Sequence, residues 1–143
     1  RQYTNKEQDQ FAISIQSNVP GVQYSTPYGI LSGSNFGEFG GELIYVDKNQ
    51  NITKLAEMNV EDIYYFSGGY VIISGLAHMG SYSGNIHYLE LSDDGFHFQK
   101  LHGLVSTPRH SWKINSKEIF ITSFEGNQIL HDNGALIGVK CKT

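Results

Sequence analysis

Six histidines fall between His78 and His131, and with one cysteine, Cys141, they are the first residues to test for metal or catalytic chemistry. A zinc site needs ligands closely spaced on one element, as in His-x-His or His-Glu-x-x-His, and neither pattern occurs. A single cysteine builds no thiolate site and no internal disulfide. Asp93-Asp94-Gly95 gathers carboxylates of the kind a hard cation prefers. Asp-Gly is also a tight hairpin turn, and Asp132-Asn133-Gly134 repeats it downstream. Turn chemistry accounts for both, so no metal and no cofactor is expected. For nucleophilic chemistry, Ser81 with His78 is the one local Ser/His pair in a plausible exposed loop, but no Gly-x-Ser-x-Gly elbow frames it. Thr107-Pro108-Arg109-His110-Ser111-Trp112 is more distinctive, bringing a cation, an imidazole and the only tryptophan together. The bland reading of that segment puts Trp112 in the core, has Pro108 shape the start of a strand and leaves Arg109 solvated.

The elements that would carry these residues are short strands. Among 143 residues Ile occurs 14 times and Ala 4 times, with 16 Gly, 13% aromatic and only 17% charged residues. β-branched and aromatic residues punctuated by glycine favour strands joined by tight turns over helices, and the aromatic load excludes disorder. A formal net charge of −4 gives no footprint for nucleic acid or an anionic membrane. The longest apolar stretches, such as Leu43 to Val46 and Val71 to Ile73, are far too short for a spanning helix. The chain begins at Arg1 with no apolar leader, from which a processed, exported or periplasmic protein is expected, the cytoplasm remaining open. Asn51-Ile52-Thr53 matches a glycosylation acceptor, a triplet common by chance.

Compared with itself, the chain repeats. Gly41-Glu42-Leu43-Ile44-Tyr45-Val46-Asp47 returns as Gly84-Asn85-Ile86-His87-Tyr88-Leu89-Glu90, and more loosely as Gly126-Asn127-Gln128-Ile129-Leu130-His131-Asp132. Upstream, Tyr28-Gly29-Ile30-Leu31-Ser32-Gly33 matches Tyr70-Val71-Ile72-Ile73-Ser74-Gly75, with Ile119 to Ser123 as a third version. Each unit reads as four short antiparallel strands, over about 22–55, 62–101 and 111–140, after an N-terminal arm at 1–21. A four-stranded meander of this length resembles the blades of β-propellers. The resemblance implies one all-β domain over 1–143 made of about three antiparallel four-stranded blade-like sheets, an incomplete or open propeller. Three units fall short of the usual closed ring, which leaves an open arc, a ring completed by a homo-oligomer, or part of a longer protein.

Within each unit the segment between the second and third strands varies most. It runs Gly33-Ser34-Asn35-Phe36-Gly37-Glu38-Phe39-Gly40 in the first, Leu76-Ala77-His78-Met79-Gly80-Ser81-Tyr82-Ser83 in the second, and shrinks to Phe124-Glu125 in the third. Two long Gly/Ser/aromatic loops at equivalent positions should project from one face, and their composition suits a protein-binding surface. A small, weakly acidic all-β protein with such loops resembles the propeller-like periplasmic immunity proteins that neutralise type VI secreted amidases. That resemblance implies a non-enzymatic inhibitor of a cognate toxin or hydrolase, with Ser81 and Ser83 bonding catalytic groups while His78, Met79 and Tyr82 fill the cleft. Asn35, Phe36 and Phe39 of the first loop join them as expected contacts, with no nucleic-acid or membrane partner. The alternative is a propeller-type enzyme or carbohydrate-binding module using Arg109, His110 and Trp112, which would line a channel at the start of an innermost strand.

Overall fold

The computed structural model of the chain describes residues 21–35, 40–78 and 81–139, and at 76–78 and 81–82 it describes the backbone alone. The arm at 1–20 therefore lies outside the described residues. Twelve strands follow one another: β1 (Gly21–Thr26), β2 (Gly29–Ser34), β3 (Glu42–Asp47), β4 (Ile52–Glu57), β5 (Asn59–Phe66), β6 (Gly69–His78), β7 (Ser81–Ser92), β8 (Gly95–Gly103), β9 (Pro108–Asn115), β10 (Glu118–Ser123), β11 (Gly126–His131) and β12 (Leu136–Val139). They form three four-stranded antiparallel sheets, β1–β4, β5–β8 and β9–β12, each a simple meander and none closed into a barrel. The fold is all-β and its sheets are blade-like and arranged as in a propeller, in line with the expectation from the repeat.

Local sequence explains the turns. Ser67 and Gly68 both take positive φ, 55° and 79°, as a two-residue hairpin between β5 and β6 requires. At β3–β4, Oδ1 of Asp47 accepts from the amides of Asn49 and Asn51, each at 2.9 Å. Asp93-Asp94 and Asn133-Gly134 occupy the β7–β8 and β11–β12 turns.

Alternation along the strands then builds two cores. In β6, Tyr70 and Ile72 face the first sheet, joining Leu31, Leu43, Val60, Ile63 and Leu89. Val71 and Ile73 face the third, joining Phe66, Ile86, Ile119, Ile121 and Leu130. The middle sheet is thus buried on both sides, which is why Tyr70-Val71-Ile72-Ile73 reads as a continuous apolar run where a half-buried strand would alternate. The first strands of the three sheets are neighbours, β1 beside β5 and β5 beside β9, so the sheets fan out from a shared inner edge.

Candidate functional site: a projecting ribbon above an intersheet cleft

The second sheet is not rectangular. β6 and β7 stay paired from Tyr70↔Leu89 to His78↔Ser81. Their outer neighbours stop short, β5 at Asn59↔Gly75 and β8 at Asn85↔Gly103. The pairs Leu76↔Ser83, Ala77↔Tyr82 and His78↔Ser81 therefore extend beyond the sheet as a two-stranded ribbon, about 10 Å long at the usual rise per residue. This corrects the expectation of a loop over 76–83, because Leu76, Ala77, His78, Ser81, Tyr82 and Ser83 have strand backbone. In sequence Gly75 and Gly84 look like strand breakers. In the fold they are a cross-strand pair at the ribbon's root, bare because the segment leading to β9 crosses there. A Cβ on Gly84 would lie 2.7 Å from the Ser106 carbonyl oxygen, and one on Gly75 2.7 Å from Cδ of Pro108. The Leu104 amide donates to the Gly84 carbonyl at 2.8 Å, fastening the same crossing.

Below the ribbon lies a cleft of about 600 Å³ between the first two sheets. Ser83 reaches it from β7, while Ser34, Glu42, Glu57, Ser74 and Asn85 supply polar groups. Lys54 bridges the two glutamates, bonded to Glu57 and 3.5 Å from Glu42, and both carboxylates raise its pKa, Glu57 first. The cleft can take hydrogen-bonding groups of a partner; the polar part of its walls is hydroxyls, the two amides of Asn59 and Asn85, and one compensated carboxylate pair.

Of the residues expected to bind a partner, Asn35 and Ser83 have described side chains. Asn35, at the end of β2, donates from Nδ2 to Oε1 of Glu61 at 2.8 Å, tying the first long loop to β5. Glu61 is half-buried. Burial pushes its carboxyl above the usual carboxylate range, the Asn35 bond opposes this, Asp62 adds to it and His110 opposes it. The backbone of β6 and β7 sets His78 opposite Ser81, with Tyr82 adjacent. The side chains of His78, Ser81 and Tyr82, and Phe36, Phe39 and Met79 altogether, lie outside the described residues.

The Arg109–His110–Trp112 cluster sits elsewhere. Trp112 is 52% exposed, overturning its expected place in the core. Its register against Phe120 puts it on the face of the third sheet turned away from the second, because Ile119 and Ile121 take the buried face. His110 packs its ring 5.9 Å from Trp112, and the Arg109 guanidinium lies 5.1 Å above the Phe124 ring. Ser111 points the other way. Its hydroxyl donates to Oδ2 of Asp62 at 2.6 Å and lies 2.7 Å from the Tyr64 hydroxyl, linking β9 to β5. A serine whose proton rests on a carboxylate has a weak base behind it; here the network joins two sheets.

The other histidines are dispersed. His87 stacks on Phe98 at 5.0 Å, and burial, then Lys100, lowers its pKa. His102 bonds the Gly134 carbonyl through Nε2, and His97 is exposed on β8. Among the described residues no three His, Cys, Asp or Glu side chains gather as a metal site. Sequence reasoning passed over Glu61 and Asp62, although they occupy in β5 the place that singled out Arg109 and His110 in β9. Starting the second unit at Asp62 left Glu61 outside the strand. Compared with known proteins, the chain matches no family model, no curated protein and no solved structure.

Proposed function

We propose that this chain is a non-enzymatic protein-binding module, an immunity-type inhibitor built as an open propeller that neutralises a cognate secreted toxin or hydrolase. The observation that carries the reading is the ribbon. Three residue pairs of β6 and β7 run past the ends of β5 and β8, with no flanking strand among the described residues, on a root held by the Gly75–Gly84 crossing. A narrow two-stranded element on a rigid base can enter a catalytic cleft with little ordering cost, which is how tight enzyme–inhibitor pairs gain affinity from a few buried anchors. Ser81 and Tyr82 at its end supply a hydroxyl donor and a rigid aromatic, with Met79 and His78 beside them. The polar cleft under Ser83 would receive groups from the rim of the partner. A carbohydrate-binding or enzymatic role for Arg109, His110 and Trp112 has less support, since Trp112 lies within an apolar row on a sheet face and Arg109 is engaged with Phe124.

The test begins from a secreted hydrolase or toxin encoded next to the gene for this chain, titrated with the purified protein while its activity is followed. Inhibition at near-stoichiometric amounts is expected. The double variant Ser81→Ala/Tyr82→Ala should lose affinity by at least about a hundredfold, as removal of two central anchors does. Unchanged affinity in a folded double variant would sink the ribbon-insertion reading.

A further inference from the structure

The outermost face of a stacked-sheet protein is normally polar or covered, because each sheet has two faces to satisfy. The third sheet does not follow this. Its outward face carries one apolar residue on every strand in direct register: Trp112 opposite Phe120, Phe120 opposite Ile129, and Ile129 opposite Ile137. The Trp112 and Phe120 rings stack at 5.9 Å, and Trp112 and Ile137 at the two ends of the row are each 52% exposed. The other end of the molecule differs. On the first sheet's outward face, Ile44 and Ile52 are already buried, at 1% and 5% exposure. Ile30, in register with Val46 and Ile52 on that face, is 39% exposed, so the third sheet of another copy stacked there would meet one exposed apolar side chain where it offers a whole row.

We infer that two copies of this chain pair through the outward faces of their third sheets, about a two-fold axis that runs along the strands between β10 and β11. This operation sets β10 over the partner's β11 and β9 over its β12. Phe120 then meets Ile129 of the second copy and Trp112 meets Ile137, large against small along the whole row. The flanks match too. Glu118 and His131, cross-strand neighbours on this face, each come to face the other type in the second copy, so carboxylate meets imidazole. On the other side of the row Thr122 meets Asn127. Four strands about 4.8 Å apart and about 6 residues long give a flat footprint of about 400 Å² per copy. That is roughly 800 Å² for the pair, below the ~1,200 Å² at which stable interfaces begin and within the range of weak, transient ones. The dimer is thus of the kind that dissociates on dilution.

Sedimentation equilibrium on the whole chain from about 5 to 500 µM tests this, with circular dichroism to confirm folding. The mass should rise from the 16.0 kDa of one chain towards twice that value. Ile137→Glu, on the edge strand, should weaken association at least tenfold. Glu118→Arg should weaken it as well, and Glu118→Arg with His131→Glu should restore it, a readout that does not depend on Ile137→Glu folding. A wild-type chain that stays monomeric at 500 µM would overturn the pairing and leave this face to some other macromolecule. So would a dimer as strong in folded Ile137→Glu as in the wild type, or a charge-exchanged double variant no better than Glu118→Arg.

Discussion

Glu61 shows how one carboxylate is placed by three strands. It sits at an irregularity of β5 between Val60 and Asp62, is held by Asn35 from the end of β2, and feels His110 of β9. Its pKa is raised chiefly by burial, so the folded state binds its proton more tightly than the unfolded chain does. The stability Glu61 contributes is therefore present below the ordinary value of 4.5 and lost as pH rises through its raised folded value. Glu61→Gln keeps an oxygen for Asn35 and removes the charge. It should melt at higher temperature than the wild type at pH 7, the gap closing at pH 4 and below, as thermal unfolding across pH will register. No pattern in the sequence marks Glu61 for this part, because a single carboxylate beside a strand is ordinary until a distant asparagine reaches it. The same holds for Ser111, whose partners Asp62 and Tyr64 are 49 and 47 residues away.

At the scale of elements, the ribbon is the feature that the sequence showed in outline and got wrong in kind. The variable Gly/Ser/aromatic segment between the second and third strands was legible at 76–83, and so was its shortening to Phe124-Glu125 in the third unit, where a two-residue turn is found. Its pairing was not legible, since Gly75 and Gly84 have the same letter whether they end a strand or make room for a neighbour. Gly84→Ala separates those meanings. Its Cβ would press on the Ser106 carbonyl, which cannot rotate away, so a loss of about 1–3 kcal/mol is expected in urea denaturation, the cost of overpacking a close contact. A neutral substitution would mean that the crossing yields to a methyl group and that the ribbon's root is not rigid.

At the scale of the whole molecule, the middle sheet is shared by both cores. Adjacent residues of one strand therefore report on different halves of the protein. Ile72→Ala opens a hole between the first and second sheets, and Ile73→Ala one between the second and third. Each should cost about 2–5 kcal/mol, as buried Ile-to-Ala changes do. Both variants should still unfold in a single transition, because the inner cluster of each end sheet is completed by residues of the middle one. Two separated transitions in calorimetry, moved one by each variant, would show instead that the sheets melt independently.

The sequence by itself determined the strands, their turns and the threefold repetition. Those follow from local rules: period-2 alternation, glycine at positive φ, and aspartate or asparagine at hairpin turns. It also determined that no short motif for metal or nucleophilic chemistry is present. The tertiary structure alone decided which face of each sheet is buried, and with it the fate of Trp112. A tryptophan on an alternating strand reads as core from either side, and only the stacking of the second sheet on Ile119 and Ile121 turns it outward. The ribbon, the cleft beneath it and the exposed row on the third sheet were likewise decided by how far neighbouring strands extend and where sheets stop stacking. These are relations between residues far apart in the chain, which local pattern does not encode.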